Sequence, residues 1–298
     1  LLLSSLTAGA TVIKLDSKDG HNGTQIWEMC RAGEDNWMPA IVPGTVLNSL
    51  VYNKVYPEPY FGMNNKLESN LIPDLAETGR DFYTYWFRTD VEIPAAFEGQ
   101  QIWLHPEGIN YRAEIWFNGH LVSTMNGMFR DDRINVTEFA KVGGVNKLAI
   151  KVFPVDEPGT TMPKKWGAAG EFQNGGNGNI GVNTTMIMTV GWDFTFMDGI
   201  RDRNTGIWKS ISLYTTGPVA LSDVFIRSDL DKPGYDVAHE TVSVEVHNND
   251  VVQMRPYEGK IVAEIVGENI RVEKPFSLIQ GNSEVFTFPP DEFPELTI

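Results

Sequence analysis

Short runs of alternating apolar and polar residues dominate the chain, and Gly, Pro, Asn and Asp separate them. A period of two places successive side chains on opposite faces of a β-strand, whereas the helical period is scarce here. Asn118-Gly119 separates two such runs and predicts a hairpin, because both residues tolerate the positive φ of a tight turn. The clearest predicted strands before residue 217 are Phe82–Val91, Gln101–Leu104, Ala113–Phe117, Asn146–Val152 and Trp208–Tyr214. Many short strands between turns predict an all-β fold of the sandwich or jelly-roll type.

The pair Gly217-Pro218 marks a predicted domain boundary. A new set of alternating strands follows it, at Val219–Ile226, Thr241–Asn248 and Lys260–Val266. We therefore predict two domains, a jelly roll at residues 1–217 and an immunoglobulin-like β-sandwich at residues 218–298. Complete domains of the second type have roughly 100 residues, so this domain is expected to be incomplete and to continue beyond Ile298.

Two stretches depart from the strand pattern. In residues 154–190, Pro154, Pro158 and Pro163 interrupt any strand, and residues 171–179 are rich in Gly and Asn. A long loop of this kind is either functional or a surface excursion. Residues 1–10 are apolar and end in small side chains, which fits either the tail of a signal peptide or a first β-strand. We favour the strand, because no basic residue precedes the apolar run.

Composition limits the classes of function. A length of 298 residues suits two domains. The net charge of -15 repels phosphate backbones, so nucleic acid is not an expected partner. A single cysteine excludes an intrachain disulfide, and no stretch approaches the roughly 20 apolar residues of a membrane span. His105 and His120 are isolated histidines, so neither a metal nor another cofactor is expected.

Several short motifs in a fixed order resemble glycoside hydrolase family 2. They are Val42–Leu47, Pro59–Asn64, Gly79–Arg88, Ala113–Gly119, Gly191–Phe194 and Arg201–Trp208. Each motif alone is weak, but their order and spacing are specific, and the resemblance covers nearly the whole chain. It is closest to the branch of β-mannosidases, exo-β-D-glucosaminidases and plant-type endo-β-mannosidases, and the run Arg201–Trp208 favours the latter two groups.

The resemblance implies an architecture and an activity. In the family that the chain resembles, a jelly-roll sugar-binding domain is followed by an immunoglobulin-like domain and by a (β/α)8 barrel that holds both catalytic carboxylates. This chain would then be the non-catalytic amino-terminal portion of an exo-acting hydrolase of β-mannosides or β-glucosaminides, inactive alone, which supports a barrel outside the chain. The whole enzyme would retain configuration through a covalent glycosyl-enzyme intermediate. A secreted or periplasmic location in a bacterium follows from the substrate class.

The same resemblance identifies candidate substrate-binding residues. Trp192 and Asp193 match the family motif that contributes to the terminal-sugar pocket. A carboxylate can accept charge-assisted hydrogen bonds from two sugar hydroxyls, and an indole offers an apolar face to the ring. Phe194 stands where relatives often have a second Trp, so the pocket wall is expected to differ. Arg201 and Asp202 could reach the same pocket, although we favour their pairing with each other or fixing the loop before Trp208.

Other interpretations of these residues remain open. Trp192 could be a core residue, and Asp193 could cap a turn. Glu171, Asp193 and Asp198 could include an in-chain catalytic pair, for which a retaining mechanism requires a separation of about 5 Å. At the level of the chain, the alternatives are a stand-alone carbohydrate-binding module without hydrolase activity and an adhesion or scaffold protein without a sugar site.

Overall fold

The computed structural model describes residues 11–64, 69–73, 78, 80–154, 205–250 and 256–298. The chain divides into two compact units, Ala10–Thr215 and Thr216–Ile298, which are described separately below. The division lies beside the Gly217-Pro218 pair at which the sequence predicts a boundary. The helices α1 (Lys18–His21) and α2 (Val46–Tyr52) are short, and strands form most of the regular structure in these residues. Over the described ranges, no helix has the length and apolar character needed to cross a membrane.

Two sheets enclose the core of the first unit. Its strands are β1 (Val12–Lys14), β2 (Trp27–Arg31), β3 (Met38–Ala40), β4 (Gly44–Thr45), β5 (Tyr85–Ile93), β6 (Gln101–Pro106), β7 (Arg112–Phe117), β8 (His120–Asn126), β9 (Ile134–Asn135), β10 (Gly144–Phe153), β11 (Gly206–Ile207) and β12 (Ile211–Thr216). The larger sheet has six strands in the order β3-β2-β5-β10-β7-β8, and the smaller has four in the order β1-β12-β6-β9. Strands β11 and β4 form a separate antiparallel pair.

Alternation along β10 shows why the sequence forms this sandwich. Leu148, Ile150 and Val152 point inward and are fully buried, while the neighbouring Lys147 points outward and is exposed. Residues from both sheets belong to one apolar cluster, in which Leu213 of the smaller sheet is also fully buried. Burial of such a side chain contributes roughly 1.5–3 kcal/mol, so the alternating pattern itself selects the two-layer arrangement.

The buried side chain of Asn146 is a polar exception in this core. Its Oδ1 accepts hydrogen bonds from the Lys141 amide and from Asn118 Nδ2, each at 2.7 Å. Its Nδ2 donates to the carbonyls of Lys141 and Gly144, each at 3.0 Å. These partners satisfy the buried amide, which would be costly without them. The same network fixes the loop before β10 and the turn at Asn118.

The structure confirms the predicted hairpin, and two strands of the first unit begin later than predicted. Asn118 and Gly119 have φ values of 49° and 85°, as a tight turn between β7 and β8 requires. The predicted strand Phe82–Val91 begins only at Tyr85, because Arg80–Tyr83 form a 3-10 turn. Within that turn, the Tyr83 hydroxyl donates to the Pro73 carbonyl at 2.6 Å, which holds the segment away from the sheet.

The predicted strand Trp208–Tyr214 is wrong at its start, since β12 begins at Ile211. Residues 208–210 instead run beside Glu107 and Gly108, which follow β6. The Lys209 amide donates to the Gly108 carbonyl at 3.3 Å, and the Glu107 amide donates to the Ser210 carbonyl at 3.0 Å. Tertiary pairing with a distant segment therefore overrides the local alternation at Trp208.

The second unit has its own core between two sheets. Its strands are β13 (Val219–Leu230), β14 (Ala238–Asn248), β15 (Tyr257–Ile265), β16 (Ile270–Leu278) and β17 (Ser283–Phe288). One sheet has the order β13-β14-β17, and β15 pairs with β16 in the other. Val246 and Phe288 are fully buried in an apolar cluster to which both sheets contribute. This unit is a small β-sandwich, and its immunoglobulin-like character stays a prediction.

Candidate functional site

The four predicted substrate-binding residues, Trp192, Asp193, Arg201 and Asp202, lie outside the described residues. The same holds for Phe194, for Glu171 and Asp198, and for residues 1–10. The structure does define the framework at both ends of residues 155–204, at Pro154 and at Thr205. These described residues belong to the first unit.

The backbone of Asn110 and Tyr111 contacts a described residue on each side of this segment. The Tyr111 amide donates to the carbonyl of Phe153, the last residue of β10, at 3.1 Å. Asn110 and Gly206 exchange two backbone hydrogen bonds, with N···O distances of 2.7 and 2.8 Å. Because one dipeptide contacts both Phe153 and Gly206, these two residues lie close together at one edge of the sandwich.

The motif Val42–Leu47 forms the second support of the returning strand. In the β4–β11 pair, Gly206 lies opposite Thr45 and Ile207 lies opposite Gly44. The Val46 amide also donates to the Thr205 carbonyl at 2.8 Å. The Thr45 side chain accepts from the Asn48 amide at 2.9 Å, which caps the start of α2. Motifs that are far apart in the sequence therefore meet at this edge.

Trp208 has a structural role in this framework. Its indole N–H donates to the Met128 carbonyl at 2.8 Å, and the ring meets Phe129 edge to face with centroids 5.5 Å apart. A Cβ at Gly108 would lie 2.9 Å from the indole nitrogen, so only glycine leaves room for the ring. Lys209 covers the ring at 5.0 Å from its centroid. The indole is therefore used within the fold.

The side chains of Arg31, Glu34 and Tyr85 lie at the end of the larger sheet where β10 ends. Tyr85 is paired across the strands with Arg31 on one side and with Val152 on the other, and Val152 comes directly before Phe153. The Arg31 guanidinium donates to the Phe82 carbonyl at 3.0 Å and to Glu34 at 2.8 Å. It also lies 4.0 Å from the centroid of the Phe82 ring.

Burial raises the pKa of the Tyr85 hydroxyl, so this phenol stays protonated at neutral pH and can donate a hydrogen bond. Sequence reasoning missed Arg31 and Asn110, because neither lies in a motif that points to a ligand. Tyr85 could have been found, since it belongs to the motif Gly79–Arg88 and alternates inward in β5.

Elsewhere in the first unit, several carboxylates pair with cations. Glu28 lies 2.8 Å from Arg88, and Asp90 lies 3.1 Å from Lys147. His105 pairs with an aspartate, Asp131, at 2.6 Å, and His120 stacks on Phe139 with centroids 4.5 Å apart. Among the residues that the structure describes, no group of three or more His, Cys, Asp or Glu could hold a metal ion.

Sequence comparison relates the chain to known proteins. A family model described as "Glycosyl hydrolase 2 galactose-binding domain-like" matches residues 27–209. A mannosylglycoprotein endo-beta-mannosidase of Lilium longiflorum is 41% identical over 212 residues, which are 70% of this chain and 21% of that protein. An exo-beta-D-glucosaminidase of Arthroderma benhamiae is 26% identical over 276 residues, which are 89% of this chain and 27% of that protein. The chain thus spans about a quarter of the length of these relatives.

Solved structures share the fold. An exo-chitosanase of Amycolatopsis orientalis has a TM-score of 0.63 at 19% identity, over 94% of this chain and 28% of the other. A beta-D-mannosidase of Dictyoglomus thermophilum has a TM-score of 0.61 at 21% identity, over 94% of this chain and 31% of the other. These likenesses confirm the predicted all-β sandwich fold.

Proposed function

The chain belongs to the family of glycosyl hydrolase 2 galactose-binding-like domains, and from that premise we propose that it is the non-catalytic amino-terminal portion of a family 2 glycoside hydrolase. The substrate class of the whole enzyme is β-mannosides or β-glucosaminides. The names of an endo-beta-mannosidase and an exo-beta-D-glucosaminidase among its relatives support this class. The catalytic carboxylates belong to a barrel outside this chain, which the chain helps to support.

One structural observation carries the proposal for a substrate loop. The motifs Val42–Leu47 and Arg201–Trp208 come together through the β4–β11 pair, and Asn110 and Tyr111 join that pair to the end of β10. This backbone network holds Phe153 on one side of residues 155–204 and Gly206 on the other. A loop whose ends are fixed by a rigid scaffold can position side chains for binding. Such a framework suits a loop that presents Trp192 and Asp193 to a sugar.

Within this proposal, Asp193 accepts hydrogen bonds from two hydroxyls of the terminal sugar, and Trp192 packs against the C–H face of its ring. Arg201 and Asp202 hold the returning end of the loop. The chain has no catalytic role of its own and needs no cofactor. A secreted or periplasmic location in a bacterium remains part of the proposal, because it follows from the substrate class.

Substitution of Asp193 in the whole enzyme tests this function. Hydrogen bonds to a charged group contribute roughly 1.5–3 kcal/mol. Since 1.36 kcal/mol is a factor of ten in rate, we expect Asp193→Ala to lower kcat/KM on a nitrophenyl β-mannoside or β-glucosaminide about 100-fold. The loss should include a higher KM and a lower kcat, with an unchanged melting temperature. Asp291→Ala, at an exposed aspartate of the second unit, is the matched control. Kinetics of Asp193→Ala equal to those of the control would refute the role.

Binding by the isolated chain separates this proposal from a stand-alone carbohydrate-binding module. In the proposal, the barrel supplies most of the pocket, so the chain alone binds monosaccharides weakly and hydrolyses none. Titration calorimetry with mannose, glucosamine and chito-oligosaccharides measures this affinity. A dissociation constant on the order of 10 μM or tighter for the isolated chain would instead indicate an independent binding module.

A further inference from the structure

A cavity of about 140 Å3 opens at the end of the larger sheet, beside the framework described above. Its lining residues come from β2, β3, α2, β5 and the connections between them: Arg31, Glu34, Asn36, Met38, Leu50, Val55 and Tyr85. An engineered apolar cavity of roughly 150 Å3 holds benzene, so the size fits one six-membered ring.

Two exposed polar side chains at this cavity keep hydrogen-bonding capacity. Glu34 Oε1 accepts from Arg31, and Asn36 Oδ1 accepts from the Cys30 thiol at 3.3 Å. Within the described ranges, neither Glu34 Oε2 nor Asn36 Nδ2 makes a hydrogen bond to protein. The Glu34 Oε2 atom and the Asn36 NH2 group therefore remain, and a hydroxyl can donate to the first and accept from the second. A pair of adjacent sugar hydroxyls matches this set.

The remaining wall of the cavity is apolar. Met38, Leu50 and Val55 supply aliphatic surface, and the Tyr85 ring adds an aromatic surface. Leu50 is 1% exposed and fixed in the core, whereas Val55 is 48% exposed at the rim. A pyranose has the same division, with hydroxyls at its edge and C–H groups on its faces.

Charge decides the kind of ring that fits. The positive charge of Arg31 is matched by Glu34, with 2.8 Å between Nη1 and Oε1. Two N–H groups of the Arg31 guanidinium already donate to protein groups, one to the Phe82 carbonyl and one to Glu34. An anionic ligand would therefore meet no unpaired cation here, while an uncharged hydroxylated ring or an ammonium-bearing sugar is compatible with Glu34.

We propose that this cavity binds one pyranose residue of a carbohydrate, neutral or carrying an ammonium group, through Glu34, Asn36 and the apolar wall. The choice of a sugar rests on the proposed function, but the residues are different from Trp192 and Asp193. The site gives the first unit a weak affinity of its own, with a dissociation constant on the order of 1–10 mM.

The test is a titration of the isolated chain with methyl β-D-mannoside and with methyl β-D-glucosaminide, followed by two-dimensional NMR of its amides. The expected result is saturable shifts at the amides around the cavity. Val55→Trp fills the rim and should weaken binding at least tenfold. Val145→Trp makes the same change at a valine that is 56% exposed at the opposite end of β10, and should leave binding unchanged.

Two further variants leave the core untouched. Asn36→Ala and Glu34→Gln change exposed side chains, and each should weaken binding severalfold, with Glu34→Gln weakening the ammonium-bearing glucosaminide more than the mannoside. Melting temperatures close to that of the unchanged chain would exclude unfolding as the cause.

Several outcomes would overturn the proposal. The absence of saturable shifts at about 50 mM sugar would do so, given the millimolar affinity expected. Equal binding by the Val55→Trp and Val145→Trp chains would also do so. If Asp193→Ala abolished binding while Val55→Trp kept it, the sugar would lie at the predicted loop, and the proposed function would survive without this site.

Discussion

Gly206→Ala is expected to destabilise the first unit by several kcal/mol. Gly206 has a φ of 153°, a backbone conformation that only glycine adopts without strain. A Cβ at this position would lie 2.5 Å from the Gly44 carbonyl oxygen and 2.6 Å from the Thr45 Cα. Both neighbours are backbone atoms of β4, so no side-chain rotation can relieve the contact, and β11 must move away from β4.

The size of the effect follows from what that movement breaks. Backbone strain at such a position costs roughly 1–3 kcal/mol. Gly206 also exchanges hydrogen bonds of 2.7 and 2.8 Å with Asn110, and each contributes about 1 kcal/mol net. Together these effects predict a loss of about 3–5 kcal/mol in the free energy of unfolding. For a unit of this size, 1 kcal/mol corresponds to roughly 2–4 °C, so Tm should fall by about 10 °C.

Urea unfolding followed by tryptophan fluorescence measures this loss. All 8 tryptophans precede Lys209, so their emission reports on the first unit alone. Gly217→Ala is the matched control, because a Cβ at Gly217 would meet nothing within 4 Å. A Gly206→Ala chain that lost less than about 1 kcal/mol, or no more than the control, would show that the β4–β11 pair does not hold the returning strand.

Three further predictions concern single side chains. Asn146→Leu should lower the free energy of unfolding by about 3 kcal/mol, because it leaves buried backbone groups without partners. Asn126→Leu, at an exposed residue, is the control. Equal urea midpoints for the two variants would contradict this role of Asn146. The Cys30 thiol is buried, and burial raises its pKa. This thiol should therefore react with Ellman's reagent only as fast as the first unit opens, and rapid reaction in native buffer would contradict its burial. The hydrogen bond from Lys260 lowers the pKa of Glu273, so this pair stabilises the second unit above the ordinary glutamate pKa of about 4.3 and loses that effect as pH falls through the lowered value. In Lys260→Gln, the NMR titration of Glu273 should move to higher pH, and an unmoved curve would contradict the pairing.

Comparison of individual segments shows where sequence patterns are reliable. The strand Asn146–Val152 lies within β10, and the Asn118-Gly119 turn has the predicted geometry. Both depend on local properties, namely the alternation of side chains between two faces and the tolerance of positive φ. The segment Trp208–Tyr214 also alternates, yet its first residues are not in a strand, because the backbone of Lys209 and Ser210 pairs with Gly108 and Glu107 instead.

The sequence by itself determined the all-β class, the positions of most strands and, through motifs in a fixed order, membership of a family. These properties depend on which residues are apolar and on short spacings along the chain. Only the tertiary structure decided that Gly206 must be a glycine against Thr45, and that Arg31 meets Tyr85 beside a cavity. The reason is that such contacts join residues distant in sequence, and their geometry depends on how two sheets pack, which no local pattern encodes.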